Sequence, residues 1–255
     1  MNSRHPGWLA PDWGATGVGA LMTTREGGVS NAPFDSMNMG IRAGDDAAAV
    51  VRNREAFAAV IGATPVYLDQ VHGNRVVRLK RSDARPAAPA VQADASATAE
   101  PGIACTVLVA DCLPVLFAAP HGRAVGAAHA GWRGLAGGVL EATLGAVCDL
   151  AGCAGEEVQC WLGACIGPRR FEVGEDVLLA FGADPSAHRS PGFERLREGK
   201  WLADLALLAR MRLRQAGVRA ASGGGWCTFE DPARFYSFRR DRVTGRMAAC
   251  VWIDQ

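Results

Sequence analysis

The sequence lacks a long apolar run. Its most apolar stretch, Gly102 to Pro120, is broken by Asp111 and two prolines, whereas a membrane span needs ~20 apolar residues with few charges. Buried strands of a soluble protein are the reading. No charge of one sign prevails: Lys plus Arg is 27, Asp plus Glu is 26, and the net charge is +1. A chain so balanced has no global field to hold DNA, RNA or an anionic membrane, so neither a nucleic acid nor a membrane is expected as partner. Histidine is scarce. His5, His72, His121, His129 and His188 are all there is, and any metal site must draw on them. The eight cysteines contain no C-x-x-C pair, which removes zinc-ribbon and thioredoxin-type motifs. No apolar run of signal-peptide type lies in Met1 to Trp13. A cytoplasmic, reducing setting follows as the expectation, with most cysteines acting as small buried apolar groups. Internal repeats and low-complexity linkers are absent too, which points to one domain over residues 1–255; the oligomeric state stays open, a monomer included.

What is there suits a packed core. Of 255 residues, 49% are apolar and 21% charged, which excludes a disordered chain. Strands are expected at Gly17 to Thr24, Val66 to Val71, Arg75 to Leu79, Ile103 to Ala110, Pro114 to Ala119, Ala124 to Ala128, Val158 to Leu162 and Met247 to Ile253. Asp45 or Asp46 can cap a helix running to about Ile61. Leu135 to Leu150 carries helical spacing, and so does the stripe Leu202, Leu205, Ala209, Leu213, Ala216, which Gly217 ends. Arg81 to Ala99, rich in Ala, Pro, Ser and Asp, reads as a long loop. Strands and helices mix without strict βαβ alternation, so the fold class is α+β with mixed β-sheets flanked by helices.

Three polar residues stand at the expected edges of apolar strands: His72, Cys112 and His129. Each is followed within two residues by Gly or Pro, so a common sheet edge can gather them. Two imidazoles and a thiolate are borderline-soft donors. Zinc takes them at ~2.0–2.3 Å, and a catalytic site keeps a fourth position open for water, whose pKa the metal lowers to ~7. The same trio also suits a metal-free Cys–His nucleophile pair, and spacing does not separate the two. Gly131 and Gly134 bracket Trp132 and Arg133 just before a helix, which offers backbone N–H groups and a guanidinium to an anion. Asp111 precedes Cys112. In an extended strand the two would face opposite ways, which makes Asp111 a supporting residue rather than a fourth ligand. The glycine turn Thr23 to Ser30 is an ordinary turn with anion-cradling potential. Arg239, Arg240, Arg242 and Arg246, beside Tyr236 and Phe238, form a solvated face or a clamp for phosphate or base. His5, His121 and His188 read as surface residues.

Several blocks together carry a resemblance: Thr23 to Ser30, Pro33 to Gly40, Gly44-Asp45-Asp46, Asn53-Arg54, Gln70 to Gly73, Ala110 to Pro114, His129 to Gly134, Ile166-Gly167-Pro168, Phe171 to Gly174 and Phe235 to Asp241. In these the sequence resembles, almost end to end, the YfiH-like family. That family has long been labelled multi-copper polyphenol oxidase or laccase-domain proteins. Members are also described as purine nucleoside phosphorylases and some as peptidoglycan editing factors. Met37 and Met39 stand where leucines are commoner. The resemblance implies zinc held by His72, Cys112 and His129, which would also be the catalytic residues. It implies a single α+β domain similar to cysteine hydrolases and deamidating toxins of the CNF type. It further implies phosphorolysis of adenosine, inosine, guanosine and methylthioadenosine, with adenosine deamination. Purine nucleosides and phosphate would then be the partners. Arg133 is the first expectation for holding phosphate, Arg25 or Arg54 the second, and Asn38 is expected to bond substrate. Copper is the alternative ion, since affinity generally rises towards Cu²⁺, but a multi-copper cluster needs many histidines. A metal-free cysteine hydrolase in peptidoglycan precursor editing also fits the trio, and a non-enzymatic regulator fits the chain as a whole.

Overall fold

The computed structural model describes residues 7–84 and 90–254. His5 lies outside the described residues. Two mixed sheets stack face to face. The first has the order β1 (Val18–Met22), β14 (Met247–Ile253), β5 (Ile103–Val109) and β2 (Thr64–Tyr67). The second runs β13 (Ala220–Gly223), β8 (Gln159–Leu162), β6 (Leu113–Ala118), β7 (Val125–Ala130), β4 (Ala95–Thr98) and β3 (Val76–Arg78). A smaller antiparallel sheet joins β9 (Glu172–Val173), β10 (Arg189–Ser190), β11 (Phe193–Arg197) and β12 (Lys200–Ala203). The helices are α1 (Ala47–Ile61), α2 (Trp132–Ala136), α3 (Val139–Ala151), α4 (Glu175–Ala180), α5 (Leu205–Gln215) and α6 (Phe238–Asp241). The α+β architecture is as expected. No helix among the described residues is long and apolar enough to cross a membrane.

Side-chain alternation builds the layers. Along β5, Cys105, Val107 and Val109 face the second sheet together with Met247, Ala249 and Val251 of β14; Ala104, Ala248 and Cys250 face the other way, onto Phe57 and Ile61 of α1. In the second sheet Leu116, Ala127 and Trp161 face the first, while Val115, Phe117, Ala128 and Leu162 meet α3 and α5. Strands buried on both faces read as unbroken apolar runs, which is why Gly102 to Pro120 mimics a membrane segment.

Some expectations need correction. The segment 81–99 is more than a loop: it carries β4, paired in the second sheet between β7 and the edge strand β3, although residues 85–89 lie outside the described residues. Its small side chains (Ala95, Ser96, Ala97, Thr98) suit close strand packing but leave little hydrophobic signal. The helix expected over Leu135 to Leu150 is two helices, split at Gly137-Gly138, where Gly138 takes φ 89°. Leu202 belongs to β12 rather than to the following helix. Met247 to Ile253 is a strand with the bounds expected, and Asp46 caps α1 by accepting the Ala48 N–H at 3.0 Å.

Candidate metal centre and cavity

The site forms at one end of the layer between the two large sheets. His129 lies within β7, on the face shared with Val125 and Ala127. Cys112 sits in the tight connection from β5 to β6. The expectation of an extended Asp111-Cys112 pair fails there, because Asp111 takes a left-handed φ of 93°. Its carboxylate accepts the Thr228 hydroxyl at 2.6 Å and the Arg239 N–H at 2.6 Å, and its carbonyl accepts the Ile166 N–H at 2.9 Å. Asp111 thus pins the turn that presents Cys112, the supporting role expected of it. His72 is not at a strand end either. It lies past β2 in a loop, with φ 61°.

These residues, 57 apart in sequence at the extremes, converge: one donor atom from each of His72, Cys112 and His129 lies within 4.8 Å of the others. Cys112 Sγ is 3.9 Å from His72 Nε2, and the imidazoles meet edge to face with centroids 4.8 Å apart. Ligand bonds of ~2.0–2.3 Å in tetrahedral array bring donors to about 3.5 Å apart, so small side-chain rotations suffice to close on an ion. The donor set, two nitrogens and a sulfur, suits zinc or copper. Space is reserved for it as well. A Cβ on Gly131 would lie 2.9 Å from His72 Cδ2 and 3.1 Å from Cys112 Sγ. Gly131 has φ −62°, so alanine fits its backbone but intrudes on the trio. Gly131→Ala is therefore expected to weaken metal binding about tenfold or more, on the scale of lost supporting contacts, while unfolding temperature hardly moves; competitive chelator titration reads this out.

Asp94, in none of the sequence expectations, organises the centre. It is fully buried at the start of β4. Oδ1 lies 2.8 Å from His129 Nδ1 and accepts the His72 N–H at 2.9 Å; Oδ2 accepts the N–H groups of Val71 at 3.1 Å and Gly73 at 2.7 Å. The Asp94 carbonyl also accepts the His129 N–H at 2.7 Å. With Nδ1 on the carboxylate, Nε2 of His129 is left for a cation. Burial would raise the Asp94 pKa, but the His129 ring and the backbone amides outweigh it and hold the carboxyl below its usual value. A charged residue just before a run of small residues was the available signal.

Electrostatics favour a thiolate. Burial opposes ionisation of Cys112, yet His129 and His72 outweigh it and bring its pKa down to about 6. For His129 burial opposes protonation, and Cys112 and Asp94 raise it to about 9. In the metal-free protein the reactive base form of Cys112 therefore accumulates as pH rises through about 6, against ~8.5 for a free thiol. Iodoacetamide labelling of Cys112, followed by peptide mass spectrometry, is expected to reach its plateau rate by about pH 7 and to be blocked by bound metal. A rate still climbing through pH 9 would contradict the arrangement.

The trio opens into a cavity of about 570 Å³, a size typical of small-molecule sites. Phe171, Phe238, Leu205 and Ile166 give it apolar walls, and Arg42, Arg54, Arg133, Arg239 and Arg246 also line it. Of the residues expected to bind substrate, Arg133 and Arg54 are at this cavity. Arg133 is exposed, with its guanidinium 4.3 Å from the Trp132 ring centre. Arg25 and Asn38 are not among the lining residues. Arg25 donates to the Asp35 carbonyl and carboxylate and to the Pro232 carbonyl. Asn38, fully buried, bonds Asp45, Gly40 and the Arg246 N–H. The Thr23 to Ser30 turn is filled by protein: Asn53 accepts the Val29 N–H and donates to Ser30, Ser36 and Asn38. Arg240 is likewise committed, to Asp241 and three backbone carbonyls. His121 lies in a short turn before β7, and the His188 carbonyl accepts the Arg195 N–H; neither residue joins the trio.

A family model described as multi-copper polyphenol oxidoreductase laccase matches residues 19–254. The chain belongs to that family. Among curated relatives, a purine nucleoside phosphorylase of Pseudomonas aeruginosa is 51% identical, covering 97% of this chain and 98% of the relative. Purine nucleoside phosphorylase YfiH of Escherichia coli is 45% identical over 96% and 98%. Of solved structures, protein NMB0706 of Neisseria meningitidis is similar with TM-score 0.90 and 44% identity, over 98% of this chain and 100% of that one. YlmD from Geobacillus stearothermophilus gives TM-score 0.90 at 33% identity, over 100% and 98%. The YfiH-like resemblance expected from the motifs therefore holds along the whole chain.

Proposed function

We propose that this chain is a zinc-dependent purine nucleoside phosphorylase. It splits adenosine, inosine, guanosine and methylthioadenosine with phosphate, and it deaminates adenosine at the same centre. The observation that carries the reading is the convergence of His72, Cys112 and His129 in the wall of a cavity also lined by aromatic residues and arginines. The names of the relatives, purine nucleoside phosphorylases, support it. The expected setting is the cytoplasm, where cysteines stay reduced and Cys112 remains available as a ligand.

His72, Cys112 and His129 would hold the zinc ion, which when bound would supply Lewis acidity at this end of the cavity. The rest of the work falls to the chain. Phe171 and Phe238 offer flat apolar faces for a purine, and Arg239 lies 5.3 Å from the Phe171 ring centre. Arginines hold phosphate beside the sugar. In phosphorolysis a phosphate oxygen bonds to C1′ as the C1′–N9 bond breaks; the bond pair leaves with the purine, which takes up a proton. Preorganised guanidinium groups stabilise the charge that moves in this step.

Purified protein given inosine is expected to release hypoxanthine and ribose-1-phosphate only when phosphate is present. Chelation should remove that turnover and zinc restore it. Adenosine should give inosine without phosphate. A metal-loaded protein inert towards all of these nucleosides would overturn the reading. The family description favours a second reading, copper-dependent phenol oxidation. Among the described residues the metal-capable group is this one trio, so that activity would have to run on a single ion, and copper-loaded protein assayed on phenols tests it. A metal-free cysteine hydrolase is a third reading, supported by the thiolate character of Cys112; tight metal binding would count against it.

A further inference from the structure

Five arginines line the cavity, and two of them, Arg54 and Arg246, are held by one short segment. Arg42 is ion-paired with Asp69. Arg239 donates Nη1 to the Glu172 carbonyl at 2.9 Å, and Arg133 is exposed over Trp132. Arg54, Arg239 and Arg246 are half-buried. Among the described residues none of the three has a carboxylate within ion-pair distance of its guanidinium. The acidic groups felt by Arg246 are Cys112, one of the three candidate metal ligands, and Asp111, whose oxygens are taken by Thr228 and Arg239. Burying a guanidinium without a compensating anion is costly, and burial lowers the pKa of Arg54 and Arg246.

One short segment carries both. Arg54 Nε and Nη2 donate to the Met39 carbonyl at 2.9 and 2.8 Å, and its guanidinium lies 3.8 Å from the Tyr67 ring centre. Met39 N–H donates to the Arg246 carbonyl at 3.0 Å, and Arg246 N–H to Asn38 Oδ1 at 2.9 Å. The Arg246 stem crosses Gly40 so closely that a Cβ there would sit 2.7 Å from its Cγ. Arg246 Nη1 donates to the Thr244 and Gly245 carbonyls at 2.9 and 3.0 Å. Its Nε–Nη2 edge, the edge that matches two oxygens of an oxyanion, has no protein partner among the described residues. Arg54 Nη1 has none either.

We propose that Arg54 and Arg246 form the oxyanion subsite of this cavity and that inorganic phosphate is its ligand. Residues 38–40 brace the guanidinium of Arg54 and the backbone and stem of Arg246. This deepens the phosphorylase reading and rests on it for the identity of the anion. It displaces Arg133, the first expectation from sequence, as the principal phosphate-holding residue.

Equilibrium dialysis of radiolabelled inorganic phosphate against the metal-loaded full chain tests it. Arg54→Gln and Arg246→Gln are each expected to raise the phosphate Kd about tenfold or more, the loss of a charge-assisted bond, with metal content unchanged. Arg133→Gln is expected to stay within about twofold, as an exposed contact would. Arg54→Lys and Arg246→Lys keep the charge without the fork and guard against misfolding of the Gln variants; each should still bind phosphate less tightly than the wild type. Absence of phosphate binding by the wild type would overturn the subsite. So would an unchanged Kd in both Gln variants, or a larger loss in Arg133→Gln. If phosphate binds and the variants weaken it while inosine is never cleaved, the subsite stands and the phosphorylase reading falls.

Discussion

Asp94→Ala is expected to cost more than any other single change away from the ligands themselves. The carboxylate bonds His129 Nδ1 and the amides of Val71, His72 and Gly73, so it orients one imidazole directly and holds the other through its loop. Losing a partner that orients a metal-ligating histidine typically lowers metal affinity 10–100-fold. Here both histidines are affected, and the upper end of that range is the expectation. Stability falls as well. Three part-buried amides lose their acceptor, and since water reaches this exposed loop the cost stays near that of a single unsatisfied group, so a loss of about 1–3 kcal/mol is expected in denaturant unfolding of the metal-free protein. Asp94→Asn keeps the shape and part of the acceptor capacity. It should cost less stability than alanine but still weaken metal binding. Unchanged affinity in both variants would show that Asp94 is not the organiser of the centre.

Cys112→Ala is expected to lower kcat/KM for inosine phosphorolysis by more than ~100-fold, beyond the range for losing a supporting partner, because it removes a donor outright. The fold should survive. Cys112 is only partly buried, in a connection pinned by the Asp111 bonds to Thr228 and Arg239, so loss of one sulfur leaves those contacts in place. Thermal unfolding beside steady-state kinetics separates the effects. Near-wild-type turnover in Cys112→Ala would exclude both a metal-centred and a thiolate-centred site.

Much of this site was legible in the sequence because its parts are polar groups on or beside apolar strands, although His72 proves to lie in a loop past β2. His72, Cys112 and His129 stood out as polar groups on apolar runs, and Gly131 followed one of them. The details that failed share a cause. Backbone geometry at His72 and Asp111 is left-handed, and only tertiary bonds, from Asp94 in one case and to Thr228 and Arg239 in the other, hold residues with side chains there. Asp94 was hidden because β4 is built from Ala, Ser and Thr, whose small side chains give no apolar alternation. Arg25 and Asn38 showed the polar character of a binding site, yet their donors are consumed within the chain. Hydrogen bonds to backbone carbonyls leave no trace in composition. Arg246 was noticed only as part of a basic run, because its significance lies in the guanidinium edge that no carboxylate pairs among the described residues.

The central claim is that three distant side chains hold one cation. Elemental analysis of protein purified without added metal, wild type beside His129→Ala, tests it most directly. The account predicts close to one divalent ion per wild-type chain and almost none in the variant. A wild type without metal, or a His129→Ala variant that keeps its full complement, would contradict it.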